Sequence, residues 1–229
     1  GRVRPYGATT FKNCVFEEGF VIDLDFLKDN AVKFEGCTYA GRALTSADVI
    51  NTKGADVEIE LVVTEKPANN GLVQNVEDVK NMTIDGGNYT TTDGKGLRGI
   101  YITEGGVYNV DNVIVKNVTY AINVNTKANV ELNVSNSTLE GWTSYGDSTT
   151  ATFNNVKFEC GTYANYKPYS STVLTDCEFE AGFQIDFTEI KDGETLTFEN
   201  CKYAGVVLTA ENFGATVNFD GDFAGKIAF

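Results

Sequence analysis

Asp23, Asp186 and Arg98 are the residues of this chain to which a reaction is most easily assigned. Carboxylates also stand close together at Asp23/Asp25 and Asp220/Asp222, and closely spaced carboxylates supply the acid and the base of many glycosidases. Asp23 and Asp186 hold the same place in two near-identical stretches, which suits a structural turn as well as a site. Arg98 lies in "GKGLRG", ahead of a strand-like run, and is one of four arginines. None of the three falls in a lyase or hydrolase motif. Structural or solvated carboxylates are therefore the expectation, and no residue is assigned as catalytic beyond these candidates. The chain has no histidine, which removes the usual general base, the usual zinc ligand and every Ser-His or Cys-His nucleophile system.

Aromatic side chains offer a different chemistry. Trp142, Tyr145, Tyr163, Tyr166 and Tyr169 interrupt the surrounding pattern in Gly-, Ser- and Asn-rich sequence, and they include the single tryptophan. Rings beside hydroxyl and amide groups suit a sugar or a protein partner, so these five are the ligand-binding candidates. The same rings would serve equally as cover for the core beneath a long loop. Five cysteines cannot all pair, and none has CxxC spacing. Neither a disulfide scaffold nor a metal site is expected; the thiols read as small buried hydrophobes. "DGGNYTTTDGKG" from Asp85 is Gly-rich but lacks phosphate-loop spacing, so it reads as turn and loop. The sequons at Asn81, Asn88, Asn117, Asn133 and Asn136 are explained by turn chemistry.

The elements that must position these residues come from a repeat. "TFKNCVFEEGF" at Thr10 returns as "VLTDCEFEAGF" at Val173. The match continues through Cys37 and Cys201 and through "YAG" at Tyr39 and Tyr203, so residues 4–60 and 167–220 are duplicates around a single-copy middle, 61–166. A shorter unit runs inside and between them: apolar, polar, Asn/Asp/Gly, small, any, aromatic. It reads "FKNCVF" at Phe11, "FEGCTY" at Phe34, "IDGGNY" at Ile84, "VKNVTY" at Val115 and "VSNSTL" at Val134. It continues as "FNNVKF" at Phe153, "LTDCEF" at Leu174 and "FENCKY" at Phe198. Alternation is strand periodicity. The Asn, Asp or Gly tolerates the left-handed backbone that a tight corner requires. Strand, corner, strand and loop make one coil of a parallel β-solenoid. With two degenerate units near Val57 and Val217, the count is nine or ten coils in one continuous domain, residues 1–229.

Composition bounds the function. Eighteen basic against 32 acidic residues give a net charge of −14, which argues against nucleic acid as a partner. No apolar run approaches the roughly 20 residues of a membrane span.

The stacked motif resembles the right-handed parallel β-helix of the pectin-lyase-like superfamily. In "LRGIYIT", "VTYAINVNT" and "TLEGWTSYG" it is similar to repetitive surface proteins of gut bacteria. The resemblance implies an all-β fold, and an extracellular or cell-surface location with glycans or host or bacterial surface proteins as partners. β-Helical pectate lyases hold Ca²⁺ with aspartates and use Arg or Lys as base, so Ca²⁺ is the one cofactor the resemblance implies. The leading expectation is a non-catalytic module presenting a binding surface for adhesion or glycan contact. The alternative is a polysaccharide lyase or glycoside hydrolase. The duplication also leads us to expect a longer tandem protein with a module of roughly 160 residues.

Overall fold

A computed structural model describes residues 1–28, 30–62, 70–87 and 96–229. They form a nearly all-β solenoid of about 8 turns with 3 % helix, close to the nine or ten coils read from the motif. Strand pairing is parallel among the described residues except in two short hairpins. The alternation in the sequence appears directly as burial: along Thr149–Asn154, side chains are buried and exposed in strict turn.

The motif's third residue makes the corner. Asn81, Asn112, Asn136, Asn155, Asp176 and Asn200 all have φ between 48° and 54°, the left-handed region that asparagine and aspartate enter at least cost. Their side chains then stack. The Asn112 amide donates to Asn81 Oδ1 (2.9 Å) and the Asn155 amide to Asn136 Oδ1 (2.9 Å). In the middle coils the structure corrects the reading of the motif. Val79 and Val110, not Ile84 and Val115, pair in register with Val134. "VKNMTI" and "VDNVIV" carry the corner asparagines there, while Ile84 and Val115 lie on the next limb, ahead of second corners at Gly87 and Asn117.

Three interior ladders fill the coil. One runs Val79, Val110, Val134, Phe153, Leu174 and Phe198. The second runs Leu61, Ile84, Val115, Leu139, Phe158, Phe179 and Tyr203. Its Phe158 and Phe179 rings stack 4.6 Å apart at 6°, as the 4.7–4.9 Å strand spacing dictates. The third belongs to a seven-stranded sheet and includes Ile100, Ile122, Thr143, Tyr166 and Ile185. Phe34, Phe198, Cys37 and Cys201 are all in the core, as the ladder assignment requires.

The duplicated segments share two devices. Each carries a hairpin, Thr38–Tyr39 with Arg42–Ala43 and Lys202–Tyr203 with Val206–Val207. Both turn on an Ala-Gly pair at positive φ, Ala40/Gly41 and Ala204/Gly205. Two successive positive φ values define the tight turn that matches strand twist. The returning strand is antiparallel and closes one limb of the stack against further parallel addition. Between the first copy and the middle, the ladder steps sideways. Val57–Val62 pairs with Val32–Glu35 on one side and with Met82–Asp85, beyond the corner, on the other. The step leaves an open depression of about 850 Å³ lined by Thr10, Lys33, Glu58, Asn81 and Met82 among others.

Candidate functional site

The seven-stranded sheet runs through Gly71–Gln74, Arg98–Ile102, Tyr120–Val124, Trp142–Tyr145, Asn165–Pro168, Gln184–Asp186 and Asn218–Asp220. Its outer face carries two columns set by register. Arg98 pairs with Tyr120 and Tyr120 with Trp142; Tyr101 pairs with Asn123, Asn123 with Ser144 and Ser144 with Lys167. The parallel ladder holds the first column at strand spacing. The Tyr120 and Trp142 rings stack with centroids 4.9 Å apart at 12°. The Arg98 guanidinium lies 5.0 Å from the Tyr120 centroid and 4.7 Å from that of Tyr101. Three planar groups are thus stacked along the solenoid axis, with cation–π attraction at one end.

A bulge sets the spacing of the columns. Register shifts between Tyr120 and Ile122 against the strand above, so Ala121 is an extra inward residue. Gly99 occupies the corresponding inward place beside Arg98 and needs to be glycine. A Cβ there would fall 2.4 Å from Val115 Cγ1 and 2.9 Å from the Ala121 carbonyl. Bulges of this kind re-aim neighbouring side chains.

Arg98, Tyr120, Asn123, Asn125, Trp142, Ser144, Lys167 and Tyr169 line a groove of about 320 Å³. The Arg98 guanidinium is oriented by Asn123 Oδ1 (2.7 Å) and the Gly96 carbonyl (3.0 Å). No carboxylate among the described residues pairs with it. Lys167 is different: its ammonium meets Asp186 (3.1 Å), Glu189 (3.7 Å) and Thr188 Oγ1 (3.0 Å). Among the described residues, the groove thus sets an unpaired guanidinium beside a neutralised ammonium in a chain that is strongly acidic. The larger depression at the ladder step lacks such converging rings.

The structure divides the five aromatic candidates. Trp142 and Tyr169 line the groove. Tyr163 is exposed but is not among its lining residues. Tyr145 and Tyr166 are 0 % exposed, and their hydroxyls bond to each other while Tyr145 also bonds to Thr172 (2.5 Å). Ligand contact by those two is corrected to a core role, because both stand at inward positions of their strands. Burial, opposed by these hydrogen bonds, pushes the Tyr145 phenol well above its ordinary value, so the cluster stays neutral. Tyr120, missed in the sequence, completes the site.

Of the catalytic candidates, Arg98 is in the groove, Asp186 sits behind Lys167, and Asp23 lies in a separate three-stranded sheet. Asp23 accepts from Arg4 Nε (3.0 Å) and from the Asp25 amide (3.3 Å). Arg4–Asp23 thus repeats as Lys167–Asp186, and both carboxylates are 6 % exposed. Burial alone would raise the Asp186 carboxyl. Hydrogen bonds from Thr188, and then Lys167, outweigh it and hold the group below the usual carboxylate range. Asp220 and Asp222 cap turns at Gly221 and Ala224.

All five cysteines are free. Cys37 and Cys201 offer their thiols to the Phe11 and Leu174 carbonyls at 3.4 and 3.2 Å, and burial raises the Cys37 thiol above its ordinary value. Among the described residues no three Cys, Asp or Glu side chains converge as a cation site, and no helix is long and apolar enough to cross a membrane. Asn81, Asn117 and Asn136 of the sequons lie at positive-φ corners; Asn88 lies outside the described residues. No protein-family model, curated protein or solved structure matches the chain, so the functional reading rests on the geometry of the Arg98–Tyr120–Trp142 column.

Proposed function

We propose that this chain is a non-catalytic β-solenoid, displayed at a cell surface or secreted, whose seven-stranded face binds glycans. The single observation that carries the reading is the axial stack of Arg98, Tyr120 and Trp142 beside Asn123, Asn125 and Ser144. Pyranose rings present C–H faces that pack on aromatic rings, and ring hydroxyls that pair with amide, hydroxyl and guanidinium groups. The groove is at the small end of the roughly 300–1,000 Å³ range of ligand sites, so it suits a short segment of saccharide, and contact of modest strength. The solenoid of about 8 turns of stacked parallel strands supports the resemblance to right-handed, pectin-lyase-like β-helices. Lys167 beside Asp186, at the edge of the groove, is the pair that favours the carbohydrate-active alternative.

Calorimetric titration against a panel of neutral and acidic oligosaccharides, with and without Ca²⁺, tests this. Binding that is lost in Trp142→Ala without product formation is expected. Turnover abolished by Arg98→Ala or Asp186→Asn would replace the proposal with the enzymatic reading.

A further inference from the structure

The groove on the seven-stranded sheet holds its two cations in opposite states, and that difference bears on the charge of the ligand. The Arg98 guanidinium is fixed by neutral oxygens, Asn123 Oδ1 at 2.7 Å and the Gly96 carbonyl at 3.0 Å. Rings steady it as well: the Tyr120 and Tyr101 centroids lie 5.0 and 4.7 Å away. Tyr101 has room to approach because Gly71, the register partner of Arg98, carries no side chain. A Cβ on Gly71 would fall 2.9 Å from Tyr101 Cβ and Cδ1. Arginine presents its donors as a rigid fork. Here the fork is oriented while its charge stays uncancelled, since no carboxylate among the described residues pairs with it.

Lys167 offers no second anion position. Its ammonium is already met by Asp186 (3.1 Å) and Glu189 (3.7 Å), and it donates to Thr188 Oγ1 (3.0 Å). The other lining residues, Tyr120, Asn123, Asn125, Trp142, Ser144 and Tyr169, are uncharged. The chain as a whole has 32 acidic against 18 basic residues. A ligand in the groove therefore meets a single uncancelled cation, a neutral hydrogen-bonding wall, and carboxylates beside Lys167.

We infer that the saccharide this groove selects is neutral apart from a single oxyanion substituent, a carboxylate or a sulfate ester, which pairs with Arg98. The inference rests on the glycan-binding reading above and gives its ligand a charge. Either oxyanion accepts paired bonds from a guanidinium edge, the geometry in which such contacts are short and strong. A polyuronate, with a carboxylate on every residue, fits poorly. Its further carboxylates would face Asp186, Glu189 and an acidic chain, with no free cation among the described lining residues to receive them. Like charges brought together across an interface oppose binding.

Binding is read on an array that carries neutral oligosaccharides, the same cores bearing one sialic acid or one sulfate, and oligogalacturonates. Singly charged members are expected to bind roughly tenfold more tightly than their neutral cores, as a charge-assisted hydrogen bond contributes. Preference for the sialylated or for the sulfated members then tells which oxyanion Arg98 receives. Raising the ionic strength should shrink the charged-to-neutral ratio. Arg98→Gln, shown to be folded by circular dichroism, should bring that ratio to about one, since it removes the cationic fork. Equal binding of charged and neutral members, a ratio indifferent to salt, or tighter binding of oligogalacturonate than of any singly charged member overturns the inference and leaves glycan binding standing. A ratio that survives in Arg98→Gln does the same. If no member of the array binds, the glycan reading itself fails and takes this inference with it.

Discussion

Phe198 shows how a single residue reports on the fold. It is 1 % exposed, stacks on Phe229 (6.0 Å) and meets Phe179 and Phe213 edge-on or tilted. Phe198→Ala is expected to cost about 3–5 kcal/mol in chemical denaturation, as buried aromatic truncations do; a loss under about 1 kcal/mol would contradict the ladder. Asp186 gives a pH signature. Its folded pKa lies below the ordinary carboxylate value of 3.8, so its stabilisation is complete above that value and is lost as pH falls through the lower folded one. The stability gap between the native chain and Asp186→Asn, measured by thermal melts, should therefore be widest near neutrality and narrow below about pH 4. A gap constant across that window would remove the Thr188 and Lys167 bonds as its cause. The recurring aspartates were visible in the sequence; their cationic partners Arg4 and Lys167 were not, because the pairs meet across neighbouring strands.

At the scale of the element, strands and corners were legible because each depends on local chemistry: alternation for the strand, Asn or Asp for the left-handed corner. What escaped was the place where alternation fails. Along Arg98–Ile102 and Tyr120–Val124 two consecutive residues point inward, so Arg98 and Tyr120 land on the outer column that Trp142 occupies by simple alternation. That bulge hid the site's central ring from a period-two reading. It also exposes a test. Gly99→Val places a side chain against Val115 and the Ala121 carbonyl, and overpacking of this kind costs on the order of 1–3 kcal/mol. Ligand binding should weaken with stability there, whereas a fully stable variant would show that the two strands do not approach as described. The sideways step at Val57–Val62 and the hairpins at Ala40-Gly41 and Ala204-Gly205 were likewise unreadable, since tertiary pairing rather than propensity decides them.

For the whole molecule, the solenoid turns a one-dimensional motif into a rod with faces of different character. One presents amide corner ladders and another the axial stack of Arg98, Tyr120 and Trp142. Stacking at strand spacing is what aligns planar groups in a line, so the proposed saccharide ligand would meet a surface of matching direction. The single tryptophan of the chain, Trp142, sits in that line, and its emission reports on the groove without any added label. Titration of the native chain with oligosaccharides while following Trp142 fluorescence is the most direct measurement of the central claim. A saturable spectral shift, abolished in Tyr120→Ala with the fold intact by circular dichroism, is the result expected. No shift with any saccharide in the panel, or a shift that survives unchanged in Tyr120→Ala, would contradict it.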